Sequence, residues 1–271
     1  MLRRAEAYLG RHGVESPRRS AEILMMHVLG TDRAGLFTRT EGLTTAEARA
    51  FGRALCQRCT GVPVQHLTGS QEFRGLDLAV RPGVFVPRPE TEILVDVALD
   101  AVKHVERPLV VDVGTGTGAV ALSIKDERSD AEVFATELSP EAASLARENA
   151  AQTGVSVFVF EGDLLSPLPP DLRGTVDLVV SNPPYVTPEQ LRSLPAEVRS
   201  DPELALVGGT GFHRRLADES PGWLRPGGAL VVEVGADQGS EVRTMFEERL
   251  EDVRVLPDLA GRDRVVAGRI P

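Results

Sequence analysis

An asparagine, two prolines and a tyrosine stand in a row at Asn182-Pro183-Pro184-Tyr185, directly after the apolar run Val176-Asp177-Leu178-Val179-Val180-Ser181. The run has the length and the Val and Leu content of a buried strand, and the proline pair cannot continue its ladder. An amide, two prolines and a phenol are thus expected at a strand's C-terminal end, the edge at which open α/β sheets bind ligands. Asn182 offers a carbonyl acceptor and an NH2 donor. The carbonyls of Asn182 and Pro183 precede residues without an N–H, so one can be held out as a fixed acceptor. Tyr185 adds a flat face and a hydroxyl. Together these groups can grip a planar NH2: two acceptors take its hydrogens, the ring covers its face, and the nitrogen lone pair faces an electrophile. The residues alone read equally well as an ordinary turn, since Asn-Pro and Pro-Pro are common turn dipeptides.

A second constellation lies upstream. Leu109-Val110-Val111-Asp112-Val113 reads as a strand, Gly114-Thr115-Gly116-Thr117-Gly118 as a glycine-rich turn, and Ala119 to Lys125 as a helix. Glycines allow close approach of backbone to a ligand, and the helix start presents free N–H groups. About 20 residues on, the strand Val133 to Glu137 ends in an acid, the spacing expected of a carboxylate that grips ribose hydroxyls. Asp163, after the strand Val155 to Phe160, can accept from an adenine amine while Leu164 covers the ring; a plain turn acid is the alternative. Pro87-Arg88-Pro89-Glu90-Thr91-Glu92 precedes a helix from Ile93 to Val102 and is unusually polar for a simple helix entry.

The elements that must position these groups follow from the periodicity. Residues 1–60 read as helices: Ala5 to Leu9, Ser20 to Leu29 and Thr44 to Leu55, with Ser20 and Thr44 as caps and Thr44 and Glu47 at capping-box spacing. Residues 62–88 read as short extended segments broken by Gly and Pro, a hairpin linker, with Val62-Pro63-Val64 among them. From there strands alternate with helices. Ser139 to Ala151 is a helix, Leu224 to Gly228 a loop, Ala229 to Val234 a strand, Gly239 to Leu250 a helix, and Val253 to Leu256 and Arg264 to Ala267 closing strands. Such alternation implies a mainly parallel, doubly wound α/β sheet.

Composition bounds the rest. The chain of 271 residues is 42% hydrophobic and 26% charged, ordinary for a soluble globular protein. No apolar run reaches the roughly 18 residues of a membrane span, and Met1-Leu2-Arg3-Arg4 is not followed by an apolar signal core, so a cytoplasmic location without membrane contact is expected. Net charge is −10, which argues against nonspecific wrapping of nucleic acid. Residues 1–70 carry ten Arg against six Asp or Glu, net +4, leaving −14 for the remainder. That asymmetry supports two modules. Cys56 and Cys59 form a C-x-x-C without the second pair that a zinc site requires, in a helical rather than a post-strand context, so no metal role is expected.

Taken together, Asp112-x-Gly114-x-Gly116-x-Gly118, Glu137, Asp163 and Asn182-Pro183-Pro184-Tyr185 resemble the motifs of S-adenosylmethionine-dependent methyltransferases acting on planar nitrogens. Gln65-His66-Leu67-Thr68-Gly69, Glu72-Phe73 and Pro87 to Glu92 resemble one family in particular, the peptide chain release factor glutamine methyltransferases. The likeness runs to Asp263-Arg264-Val265-Val266. It implies a helical N-terminal substrate-recognition domain with the start of a β-hairpin linker, over 1–72, and a seven-stranded Rossmann-like methyltransferase domain over 73–271. It also implies S-adenosylmethionine as cofactor, with S-adenosylhomocysteine as product, and methylation of the glutamine amide in the Gly-Gly-Gln motif of class I release factors, with no stable nucleic-acid partner.

Carried over by residue, Gly114, Thr115, Gly116, Thr117 and Gly118 line the methionine and ribose portion, Glu137 the ribose hydroxyls, and Asp163 with Leu164 the adenine, with Arg88, Thr91 and Asn182 added to the cofactor set. Asn182, Pro183, Pro184 and Tyr185 form the catalytic set: Asn182 and the Pro183 carbonyl hold the amide, and Tyr185 packs on it. Two stretches depart from the family's pattern. Arg58-Cys59 replaces a usual Arg-Arg, and Glu197-Val198-Arg199-Ser200-Asp201-Pro202, expected to help shape the substrate pocket, lacks the usual aromatic or Arg and the Glu-Pro. The rivals are a ribosomal-protein glutamine methyltransferase, an adenine-N6 DNA methyltransferase, a dinucleotide oxidoreductase satisfied by Gly114-x-Gly116-x-x-Ala119, and a non-catalytic binding module.

Overall fold

The computed structural model describes residues 1–195 and 197–271, and the chain divides into two compact units. The first comprises Met1–Ser70 and the described part of Pro195–Ser200. Helices α1 (Leu2–Arg11), α2 (Pro17–Leu29), α3 (Arg33–Thr38), α4 (Thr45–Cys59) and α5 (Val64–Thr68) build it. Apolar residues three and four apart put a stripe on each of the longer helices, and Ala5, Leu9, Ala21, Leu24, Met25 and Phe51 meet as its core. The capping box is present: Thr44 Oγ1 accepts from Glu47 N at 3.2 Å, and the Glu47 carboxylate accepts from Thr44 N at 2.6 Å.

Two local expectations are corrected. Ser20, read as a cap, is buried inside α2, which begins at Pro17 because proline's fixed φ suits a first helical turn. Val64, read as extended, opens α5: Pro63 precedes it, and Gly69, at φ 77°, ends the helix in the left-handed conformation.

The second unit holds Gln71–Leu194 and Asp201–Pro271. Strands β1 (Ser70–Phe73) and β2 (Leu76–Ala79) form the hairpin, and α6 (Glu92–Ala101) leads into the main sheet. In chain order follow β3 (Leu109–Val113), α7 (Ala119–Glu127), β4 (Glu132–Glu137), α8 (Pro140–Thr153), β5 (Phe158–Glu161) and β6 (Val176–Ser181). The short helices α9 (Pro188–Leu191) and α10 (Glu203–Leu206) and then α11 (Gly211–Glu219) precede β7 (Leu224–Glu233), α12 (Gly239–Glu247), β8 (Glu251–Pro257) and β9 (Asp263–Arg269). The seven strands are ordered β5-β4-β3-β6-β7-β9-β8; only the pairings of β9 are antiparallel.

Alternate residues of the central strands serve opposite faces. Val110, Val180 and Val231 pack with Leu94, Leu122 and Ile124 of α6 and α7. On the other face Val111, Val179 and Leu230 pack with Leu216, Val242 and Phe246 of α11 and α12. Buried on both faces, β3 and β6 read as near-continuous apolar runs, interrupted by Asp112 in β3 and by Asp177 in β6. The stretch Leu224 to Gly228, expected as a loop, is part of β7: Leu224 pairs with Val176, and the register shifts before Ala229 meets Leu178. The extra residues are taken up as a bulge. Among the described residues no helix is long and apolar enough to cross a membrane.

Candidate active site

The sheet order decides which loops meet. From β3 the chain moves outward to β4 and β5, then returns to β6 on the other side of β3, making a topological switch point between β3 and β6. Val113 and Ser181, the last residues of those strands, are register partners, and Ser181 Oγ donates to the Val113 carbonyl at 2.7 Å. Parallel neighbours lie about 5 Å apart, so the glycine loop and the Asn182 stretch leave the sheet side by side. On the far side of β6, Val232 pairs with Ser181 and brings Glu233 to the same edge.

The glycine loop forms an open cradle. Gly114, Gly116 and Gly118 have φ of 71°, 58° and 87°, and at Gly114 and Gly116 no heavy atom lies within 4 Å of where a Cβ would stand. The Thr136 carbonyl accepts from the N–H of Gly114 and Thr115 at 2.8 and 3.1 Å, which ties the loop to β4. Glu137, at the end of β4, accepts from Gly116 N and Ser139 N, each at 2.9 Å. Fixed by two backbone donors, its carboxylate keeps lone pairs for a further hydroxyl. Thr115 Oγ1 donates to buried Asp112 at 2.6 Å, as does Ala121 N at 3.1 Å. Burial pushes the Asp112 carboxyl up to about 7. Thr117 is buried, and its carbonyl accepts from Asn149 of α8.

Asp163 and Leu164 follow β5, whose loop is tied to β4 by Gly162 N donating to the Glu137 carbonyl at 2.9 Å. Leu164 is buried; Asp163 is half-exposed and paired with Arg215 of α11 at 2.7 and 3.3 Å. An open glycine cradle, a doubly anchored carboxylate at the second strand and a carboxylate with an apolar neighbour at the third fit the methionine, ribose and adenine of S-adenosylmethionine in turn.

Asn182 donates through Nδ2 to Thr91 Oγ1 at 3.1 Å, which leaves its carbonyl oxygen as the acceptor arm. The Tyr185 hydroxyl donates to Glu233 Oε1 at 3.0 Å, and the Tyr185 carbonyl accepts from Gln238 at 2.8 Å. Burial, and then the Glu233 charge, push the Tyr185 phenol up, so it stays a donor. Val186 bridges to Val207, and Gly208 N donates to the Val186 carbonyl at 3.1 Å. A Cβ on Gly208 would meet the Pro184 oxygen at 2.2 Å. The stretch is thus braced from outside by residues 206–209.

Arg88, expected among the cofactor contacts, is turned to Asp201, with which it forms an ion pair; Asp201 also accepts from Val86 N at 3.4 Å. Thr91, expected in the same set, lies beside Asn182, another member of it. In the departing stretch, Glu197 pairs with buried Arg58, which also donates to the Val62 carbonyl at 3.1 Å, within the helical unit.

Sequence reasoning passed over Glu233. It is 2% exposed, and burial pushes its carboxyl up to about 7, against the Thr91 and Tyr185 hydroxyls and the Arg264 guanidinium, with the Glu90 charge adding to the rise. The signal was available: an acid directly after the buried apolar run Ala229 to Val232 is out of pattern for a buried position. Arg215 and Gly208 carried no such signal.

The chain matches two family models, described as the PrmC N-terminal domain over residues 1–69 and the Methyltransferase small domain over residues 75–197. It is 44% identical to a release factor glutamine methyltransferase of Deinococcus radiodurans, over 99% of this chain and 97% of that one. Identity to that of Moorella thermoacetica is 42%, over 93% and 91%. Among solved structures, a T. thermophilus 16S rRNA methyltransferase in complex with AdoMet and guanosine superposes with TM-score 0.55 at 19% identity. The match covers 74% of this chain and 50% of that one, a likeness of fold.

Proposed function

The chain belongs to the release factor glutamine methyltransferase family, and on that premise we propose that it methylates N5 of the glutamine in the Gly-Gly-Gln motif of class I peptide chain release factors. The observation that carries the reading is the adjacency of the glycine cradle and Asn182 at the paired ends of β3 and β6. S-adenosylmethionine supplies an electrophilic methyl group on a sulfonium and leaves as S-adenosylhomocysteine.

Gly114 to Gly118 receive the methionine and ribose, Glu137 the ribose hydroxyls, and Asp163 with Leu164 the adenine, with Arg215 holding Asp163 in place. An amide nitrogen is a poor nucleophile because its lone pair is delocalised. The protein's contribution is therefore position and electrostatics. The Asn182 side-chain carbonyl and the Pro183 backbone carbonyl accept the two amide hydrogens and favour the positive charge that develops on nitrogen. Thr91 fixes the Asn182 rotamer, and Tyr185 packs on the amide face. Arg88 acts through Asp201 by tying that residue to the Pro87–Thr91 entry. A translation factor as substrate sets the reaction in the cytoplasm, and the acidic second module suits a protein rather than a nucleic-acid partner.

The test is tandem mass spectrometry of a class I release factor after incubation with this protein and S-adenosylmethionine. One added methyl on the Gly-Gly-Gln glutamine is expected. An unmodified release factor, or a methyl on another residue, would contradict the reading.

A further inference from the structure

We propose that Glu233 is a positioning residue of the methyl-transfer site: its carboxylate holds the Tyr185 hydroxyl and so sets the Tyr185 end of the Asn182–Tyr185 stretch. The inference rests on the glutamine-methylation reading above and adds to it a residue that strand β7 does not itself need. Ala229 to Val232 are all apolar and buried. A carboxyl at the next buried position is costly unless its partners compensate it.

Those partners lie on the site side and come from three separate segments. Tyr185, from the loop after β6, donates to Oε1 at 3.0 Å. Thr91, from the turn before α6, favours the charged carboxyl, while Oε2 has no hydrogen-bond partner among the described residues. Thr91 is also the acceptor of Asn182 Nδ2, at 3.1 Å. Arg264, from β9, stands 3.9 Å from Oε1 and is itself paired with Asp258 at 3.3 Å.

The ionised carboxyl accepts a charge-assisted hydrogen bond from the Tyr185 hydroxyl. The neutral acid is the weaker acceptor, because the hydrogen bond from Tyr185 loses its charge assistance, so the hold on Tyr185 loosens. The charged and titratable groups facing Glu233 are Tyr185, Arg264 and Glu90, with Asp258 beyond Arg264; His213 meets only its backbone carbonyl, at 2.8 Å. Tyr185 stays a neutral donor and Arg264 a cation. The titration that matters to the geometry is therefore that of Glu233 itself, and turnover rises as it ionises.

The experiment measures kcat, the KM for a class I release factor and the Kd for S-adenosylmethionine in wild type, Glu233→Gln and Tyr185→Phe, from about pH 6 to about pH 9. Glu233→Gln is expected to lower kcat about tenfold or more, to leave both affinities within about twofold, and to flatten the rise of kcat near neutral pH. Tyr185→Phe, which removes the same hydrogen bond and keeps the carboxyl, is expected to lower kcat to a similar extent and to flatten the same rise. Unchanged S-adenosylmethionine binding by Glu233→Gln also reports an intact fold. A Glu233→Gln enzyme with wild-type kcat and pH profile would overturn the proposal. So would one that loses turnover and cofactor affinity together while keeping the pH rise, the mark of a merely structural residue. A wild-type protein inactive on the release factor overturns the substrate reading, and this proposal with it, before any variant is compared.

Discussion

Gly208 is a residue defined by what it lacks. Its φ is not in the left-handed region, so backbone freedom is not what the position requires; the Pro184 carbonyl occupies the space that a side chain would take. Gly208→Ala must push either the brace or the proline pair aside, because a Cβ 2.2 Å from a backbone oxygen has no rotamer to escape into. We expect kcat to fall about tenfold with S-adenosylmethionine affinity within about twofold; steady-state kinetics with a wild-type kcat would show that the brace yields freely. At this scale the contiguous part of the candidate site is what the sequence proposes most directly, since Asn182, the prolines and Tyr185 adjoin one another and each has a chemical reason to be there. Glu233 and Thr91 were not legible as partners, because 48 residues separate Glu233 from Tyr185 and 91 separate Thr91 from Asn182. Hydrophobic periodicity assigns elements and carries no information about such pairs.

Elements with a strong period were read with little error, and those whose positions are set by tertiary partners were not. Strand β6 spans Val176–Ser181, as its apolar run predicts. Between Tyr185 and Leu224 the sequence predicts no helix, yet α9, α10 and α11 lie there. Two are a single turn each, and α11 is short, polar and buried on one side through His213, Leu216 and Ala217. Helix α8 shows how an element serves the site at one remove. Asn149, fully buried on it, accepts from Ala79 N at 2.8 Å and donates to the carbonyls of Ala79 at 3.1 Å and Thr117 at 2.9 Å. One side chain thereby joins the end of the hairpin to the glycine loop. Asn149→Ala strands a buried donor and two acceptors, and is expected to cost about 2 to 4 kcal/mol. A lower urea midpoint at unchanged slope would register it, together with weaker S-adenosylmethionine binding through the loosened Thr117. Wild-type values of both would contradict the assigned link.

For the whole molecule, the charge division was legible from counting: net +4 in residues 1–70 and −14 beyond. The sequence reading sets its domain boundary at 72, whereas the compact units divide after Ser70 and the stretch Pro195–Ser200 returns to the first unit. That return was hidden, since the pair that anchors it, Arg58 with Glu197, spans 139 residues. Strand order was likewise beyond periodicity and came from family resemblance, yet it is the order that sets the glycine loop beside the Asn182 stretch. The adjacency makes a sharp demand on Asn182, which should serve transfer and not cofactor retention. Single-turnover methyl transfer to a class I release factor by Asn182→Ala, measured beside its S-adenosylmethionine affinity, tests this most directly. Transfer lowered about a hundredfold with affinity within about threefold is the expected result. Equal loss of both, or transfer at the wild-type rate, would contradict the grip of the glutamine amide by Asn182.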